Sequence, residues 1–361
     1  MSNVPTLTVA RGVEAPRRDD LTDCARGYAR ASKSANTRRA YAVQFRQWQA
    51  YAEAAGCAAM PSNPIHVANW LAARAAQGKA YATLTTGLAG VRAANVAAGY
   101  TFDTRHPAIE CVLRGIAREN ARPPQQAQAL RATDIANLLA KLTPAAIDQR
   151  DGALLALGFM FAARASELSG LDYQTLGDGD GFVALMPDRI SMTLVRSKTG
   201  RRNEPQRVAV GRSAAAKLVK AIETWVAIAA PRPGQALLRS VHKNGAISST
   251  RLTSGSVSRI IKRRLIEHDW RTGGNVSVPR ESLHPQAGLP APGEPDGRGR
   301  YSSHSLRVGA AVTAAENGAD PRQIAHLGRW RSLQMAARYC EQAEDLAANG
   351  FHLSTWGAER R

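Results

Sequence analysis

The chain has 361 residues and a formal net charge of +19, with 48 Lys and Arg against 29 Asp and Glu. That length suits two domains, and an ordinary apolar share with no dominant low-complexity tract predicts a soluble globular chain. No apolar run reaches the roughly 18 residues of a membrane helix and no basic-then-apolar leader is seen, so a cytoplasmic protein without membrane attachment is expected.

The excess of cations points to a polyanionic partner, because a DNA duplex releases condensed counterions when Lys and Arg neutralise its phosphates. Arg greatly outnumbers Lys, which favours bidentate phosphate contacts. Cys24, Cys57, Cys111 and Cys340 show neither CxxC nor a His-paired spacing, so no metal is expected and a reducing compartment suits them.

Residues 1–20 mix Pro, Arg, Asp and Gly without period and predict a disordered or weakly held arm. From Ser34 a helical period begins. Asn36 or Thr37 is placed to cap a helix with Tyr41, Phe45, Trp48, Tyr51 and Ala52 on one face, which leaves Arg38 and Arg39 elsewhere on it. Asn63-Pro64 starts a second helix carrying Val67, Trp70 and Leu71 and ending near Gly78. Residues 80–98 give a third helix and 107–120 a fourth. Short helices without strand signal predict a small helical domain over 21–120, with its aromatics in the core. Residues 121–132, with Pro123-Pro124, predict an extended linker.

A second domain is predicted over 133–361. Helices over 135–142 and from Ala146 to about Ala163 open it, and the second ends in Arg164-Ala165-Ser166-Glu167. An Arg closing so apolar a helix needs a partner, and Glu167 lies one turn on; a purely structural ion pair is the competing reading. From Leu171 the period shifts towards two. Residues 182–186, 191–195 and 206–210 predict strands of a small antiparallel sheet, with turns at Gly177-Asp178-Gly179 and Lys198-Thr199-Gly200. The second turn is densely basic, with Arg196, Lys198, Arg201 and Arg202. Residues 213–229 predict an amphipathic helix, and brief strands flank the turn Lys243-Asn244-Gly245. Residues 256–268 predict a basic helix. Ser254 and Ser256 are placed to reach base edges, with Lys243, Arg259, Lys262 and Arg263 holding phosphates; a helix with a solvated basic face is the alternative. Residues 271–300, rich in Gly and Pro, predict a long exposed loop.

The stretch from Ser303 to Cys340 organises the rest. Ser302 or Ser303 is placed to cap a helix from His304 to about Asn317, where Gly318 ends it. His304 and Arg307 share its first turn. Asp320 and Pro321 open a second short helix, which Gly328 stops, and Ser332 opens a third with Tyr339 about two turns along. These breaks fold the stretch back on itself, so His304, Arg307, Trp330 and Tyr339 can converge. Two plainer readings stand beside this one. Residues 311–324 suit a helix-turn-helix DNA reader, or His304 caps a helix and Tyr339 packs in a core.

His304-x-x-Arg307, Gly328-x-Trp330 and Tyr339 nine residues beyond the Trp follow Arg164-x-x-Glu167 and Lys198 in order. This set resembles the active-site block of the tyrosine recombinases, the phage integrase family. Trp330, where most members carry His, and the run His-Ser-Leu-Arg-Val-Gly-Ala-Ala make it most similar to the Cre branch.

The resemblance implies a mainly α fold with a small antiparallel β-sheet, in which an N-terminal helical core-binding domain and a C-terminal α+β catalytic domain form a clamp on DNA. It implies that Tyr339 attacks a phosphodiester to give a 3′-phosphotyrosine. Arg164 and Arg307 would hold the non-bridging oxygens, and their positive charge would favour the phenolate. His304 would transfer protons, Lys198 would protonate the departing 5′-oxygen, Trp330 would buttress Tyr339, and Glu167 would hold the site together. Phe351, Leu353 and Trp356 would dock into a neighbouring protomer. The implied partner is double-stranded DNA with an inverted-repeat site, bound by a homo-tetramer that is monomeric off DNA, through a Holliday junction and without cofactor. A type IB topoisomerase, a telomere-resolving enzyme and a catalytically idle DNA-binding regulator are the rival readings.

Overall fold

The computed structural model describes residues 22–119, 127–196, 204–268 and 301–341. The chain divides into two units, Met1–Pro124 and Gln125–Arg361.

In the first unit three helix starts are written in small polar side chains. Thr22 accepts from the Ala25 N–H at the head of α1 (Asp23–Ala31), and Ser34 accepts from Thr37 at the head of α2 (Ala35–Ala54). The α2 cap therefore lies earlier than Asn36 or Thr37. Helix α1 was not anticipated, because Gly27 interrupts a segment too short to show a clear apolar period. Asn63 caps α3 (Pro64–Ala76), with Pro64 in its first turn as the sequence suggests. Helices α4 (Tyr81–Ala97) and α5 (Pro107–Glu119) complete the described part of this unit. Trp48 and Trp70 meet edge to face at 5.7 Å in its core, beside Leu71, Leu84, Val91 and Ile109. Arg38 and Arg39 are exposed on α2.

The second unit begins with α6 (Ala132–Ala140), α7 (Ala146–Met160) and the short α8 (Ala165–Ser169). Helix α7 is buried almost all round, with residues 153–157 fully inaccessible. It is the axle of the unit, and it lacks the single apolar stripe of a surface helix. Strands β1 (Leu171–Tyr173), β2 (Gly181–Leu185), β3 (Arg189–Leu194) and β4 (Gln206–Gly211) form one sheet in that order. Pairing is antiparallel except for β1, a short parallel strand at the edge that the sequence did not announce. Helix α9 (Ala216–Ala229), the pair β5 (Arg239–Val241) and β6 (Ile247–Arg251), and α10 (Ser254–His268) follow. Then come α11 (Ser303–Glu316), α12 (Pro321–Gly328) and a last helix, α13, over 333–341.

Two glycines set how α11 is seated. At Gly158 on α7 a Cβ would lie 2.5 Å from the Leu306 side chain, so α11 packs close against α7. At Gly309 a Cβ would lie 1.7 Å from the Leu130 carbonyl oxygen. The chain there crosses α11, with Leu130 fully buried and its N–H donating to the Ser305 carbonyl at 3.1 Å. Residues 127–131, expected as the end of an extended linker, are therefore fixed on the second unit. No described helix is long and apolar enough to cross a membrane. The tail residues Phe351, Leu353 and Trp356, the arm over 1–20 and the loop over 271–300 lie outside the described residues.

Candidate active site

The site is built on the point where α7 stops. The continuous apolar run suggests a helix to Ala163, but α7 ends at Met160 and Ala162 turns left-handed, with φ of 44°. Arg164 is consequently not the tail of α7. It is the N-cap residue of α8, where its backbone N–H donates to Glu167 Oε2 at 2.9 Å and its Nη1 donates to Glu167 Oε1 at 2.6 Å. The early stop leaves main-chain carbonyls of a buried helix end unpaired, and such groups must find donors. Two distant arginines supply them. Arg307 Nη1 donates to the Ala162 carbonyl at 2.6 Å, and Arg329 Nη1 donates to the Phe161 carbonyl at 2.8 Å.

Helix α11 delivers His304 and Arg307. Ser302 caps it by accepting from the His304 N–H at 3.2 Å, while Ser302 N–H donates to Ser305 Oγ at 3.0 Å. Arg307 is wholly buried, and its Nη2 donates to the Gly328 carbonyl. Its guanidinium lies over the Trp330 ring, 4.4 Å from the centroid. Trp330 in turn lies 5.2 Å from the Tyr339 ring, tilted by 35°. Gly328 makes this possible, since a Cβ there would fall 1.9 Å from the indole. Tyr339 is buried against Val308, Ala311, Val312, Ile324 and Ala336. The sequence pointed to Gly328 as the stop of α12, yet Gly328 is its last helical residue. Arg329 takes the left-handed position beyond it, with φ of 53°.

Charge is unevenly balanced here. Glu167 stands against Arg164, Arg307 and Arg329. Burial alone would raise the Glu167 carboxyl, but Arg329 and Arg164 hold it below the usual carboxylate range. Burial, and then repulsion from Arg164 and Arg329, push Arg307 down to about 9, which still leaves it a cation at neutral pH. Although His304 keeps an exposed edge, partial burial followed by Arg307 and Arg164 holds it below the ordinary imidazole value. Tyr339 does not behave as expected from its cationic neighbours. Burial raises its phenol, and Arg307 and Arg338 offset this only in part. The phenol is therefore protonated at neutral pH.

Arg164, His304, Arg307, Trp330 and Tyr339 are thus drawn together with Glu167. The profile of the Phage integrase family matches residues 128–345, and that of the phage integrase N-terminal SAM-like domain matches residues 28–94. The chain belongs to the phage integrase family, the tyrosine recombinases. An integrase/recombinase xerD homolog of Selenomonas ruminantium is 24% identical over 329 residues, 89% of this chain and 86% of that one. The recombinase cre of Escherichia phage P1 is 23% identical over 344 residues, 93% of this chain and 92% of that one. Among solved structures, a lambda integrase (residues 75–356) dimer bound to a COC′ core site shares the fold. Its TM-score is 0.51 at 16% identity, and the match covers 87% of this chain and 92% of that one.

The other expected site residues of this recombinase are scattered. Lys198, Arg201 and Arg202 lie outside the described residues. Arg196 is exposed and 3.9 Å from Asp180, and Lys243 is exposed at its turn. On α10, Arg259 is exposed and Ser256 bonds Thr253, with Oγ atoms 2.9 Å apart, so this serine belongs to the helix cap. Ser254 opens the helix beside it. Arg263 departs from its expected role. Together with Arg264 and Arg150 it donates to the fully buried Asp151 on α7, each at 2.7 Å, so that guanidinium is engaged inside the unit instead of standing ready for a phosphate. Lys262 is half-buried. Arg329 is the residue the sequence reading missed. The glycine before it is the residue type that usually fills the left-handed position at a helix end, and here Arg329 fills it instead.

Proposed function

We propose that this recombinase exchanges DNA strands at an inverted-repeat site through a 3′-phosphotyrosine, with Tyr339 as the nucleophile. The observation that carries the reading is the stack of Arg307 on Trp330 on Tyr339, with Arg164 and His304 electrostatically coupled to Arg307.

Entry of a phosphodiester adds negative charge to a site whose cations exceed its carboxylates. The pentacoordinate phosphorus carries roughly −2, and preformed cations in a desolvated pocket stabilise it more than they stabilise the ground state. Nη1 and Nη2 of Arg307 each hold a main-chain carbonyl, so its remaining hydrogens, including that of Nε, which has no partner among the described residues, are the ones offered to non-bridging oxygens. His304, held neutral by burial and its cationic neighbours, suits acceptance of the phenol proton. The Tyr339 oxygen then bonds to phosphorus, the bond from phosphorus to the 5′-oxygen breaks, and Lys198 supplies the proton for that leaving group. A 5′-hydroxyl of a partner strand reverses the step. Two rounds through a Holliday junction in a tetramer exchange the duplexes, with the tail carrying Phe351, Leu353 and Trp356 linking protomers. Arg38, Arg39, Arg196, Lys243, Arg259 and Lys262, with Arg201 and Arg202, are proposed phosphate contacts, which position the duplex without reading it.

The test is a nicked suicide duplex carrying a candidate inverted-repeat site. Wild type traps as a covalent adduct, and Tyr339→Phe binds the duplex without one. An adduct that persists in Tyr339→Phe would remove that residue from the role. Supercoiled DNA with two such sites separates the rival activities. Deletion or inversion marks recombination, relaxation alone marks a topoisomerase, hairpin ends mark a telomere resolvase, and no covalent product marks an idle binder.

A further inference from the structure

We propose that Arg329 is a positioning residue for strand cleavage. Through Glu167 it fixes where Arg164 presents its guanidinium, and through its own backbone it fixes where Trp330 stands behind Tyr339. The inference rests on the recombination reading above.

The first observation is conformational. Arg329 sits at φ 53° and ψ 43°, a region residues with a β-carbon seldom enter and one that glycine fills easily at a helix end. An arginine held there must be kept by its side chain. That side chain is only 3% exposed. Its Nη1 donates to the carbonyls of Phe161 at 2.8 Å and Leu327 at 3.1 Å. Its Nη2 donates to Glu167 Oε2 at 2.7 Å and reaches the Ala162 carbonyl at 3.4 Å. A cation at this point also meets the negative end of α7.

The second observation is how Glu167 divides its carboxylate. Oε1 accepts from the Arg164 guanidinium, while Oε2 accepts from the Arg164 backbone and from Arg329. Without Arg329 the buried carboxylate keeps Arg164 as its one hydrogen-bonded cation. A buried charge that loses a partner leans harder on the remaining one, so Arg164 would be drawn inwards and would offer less to a phosphate. The same change releases the corner that precedes Trp330. Arg329 never needs to touch the substrate for either effect.

Arg329→Gly is the informative variant, because glycine keeps the left-handed corner without strain. The expected result is a still cooperative melting transition at a lower temperature, because a buried pair is broken, and unchanged affinity for the inverted-repeat duplex. Single-turnover adduct formation should slow by about tenfold to a hundredfold, the scale of an ångström-sized misplacement. In a Glu167→Gln background, which already breaks the relay, Arg329→Gly should add little further loss. Cleavage by Arg329→Gly at the wild-type rate would overturn the proposal. So would a loss of duplex binding at a temperature where the variant is folded that tracks the loss of cleavage, or full additivity with Glu167→Gln. Failure of the wild type to form a Tyr339-dependent adduct would instead sink the recombination reading, and this inference with it.

Discussion

Gly328→Ala tests the stack at its tightest point. The new Cβ would lie 1.9, 2.1 and 2.5 Å from three indole atoms of Trp330. Ordinary contact begins near 3.4 Å, so the ring must retreat by about 1.5 Å. It has little room, with the Arg307 guanidinium 4.4 Å from its centroid and the Tyr339 ring at 5.2 Å. Overpacking of this kind costs about 1–3 kcal/mol, and loss of a desolvated cation–π contact adds up to about 2 kcal/mol. Displacing the group behind the nucleophile should slow single-turnover adduct formation by roughly a hundredfold. DNA affinity should hold, because the clash involves the ring and not a groove-facing side chain. Quenched time courses on the nicked duplex and urea melts of the free protein measure the two effects. Removing the ring should relieve the clash, so Gly328→Ala/Trp330→Ala should be as stable as Trp330→Ala alone. Wild-type cleavage and stability in Gly328→Ala, or simple additivity in the double variant, would refute the argument.

Arg307→Lys keeps the charge but cannot span two carbonyls and cover the indole at once, so cleavage should drop roughly 10²–10³-fold; near-normal adduct yield would contradict the forked-donor argument. Asp151→Ala strips the shared carboxylate from three guanidiniums and should cost about 3–5 kcal/mol in urea unfolding, whereas a loss under about 1 kcal/mol would mean the network contributes little. Glu167 has a folded value below its unfolded one of about 4.3, so its contribution to stability is complete above that pH and fades as pH falls through the folded value. Glu167→Gln should therefore flatten the acid limb of stability against pH, and identical acid limbs in the two proteins would count against that linkage. Duplex binding should fall with salt at a log–log slope of about −0.9 per phosphate neutralised, and a flat response would count against the phosphate contacts.

Local signals in this sequence were legible where local chemistry decides the outcome. Asn63-Pro64 and Asp320-Pro321 open helices, and the spacing from His304 to Tyr339 marks the stack, because capping and helical period act over a few residues. The missed features depend on partners far along the chain. The end of α7 is hidden in an unbroken apolar run, since what accommodates a turn at Ala162 is a pair of arginines from α11 and beyond α12. Arg263 looks like any cation on a basic helix until Asp151, 112 residues earlier, appears beneath it. Arg329 shows no periodicity at all. Its importance lies in a backbone angle and a carboxylate that no spacing rule connects.

The Asp151 cluster has a further consequence. It bolts α10 to α7, and α7 also ends at the corner that carries Arg164. On the proposed reading, the helix whose cations hold the backbone phosphates and the elements that cut the strand are mounted on one rigid beam. A slip of one base pair carries the backbone about 3.4 Å along the axis, farther than a hydrogen bond can stretch. On that reading the choice of which phosphate is broken would be made by a built-in ruler, and misaligned sites would be bound without being cut.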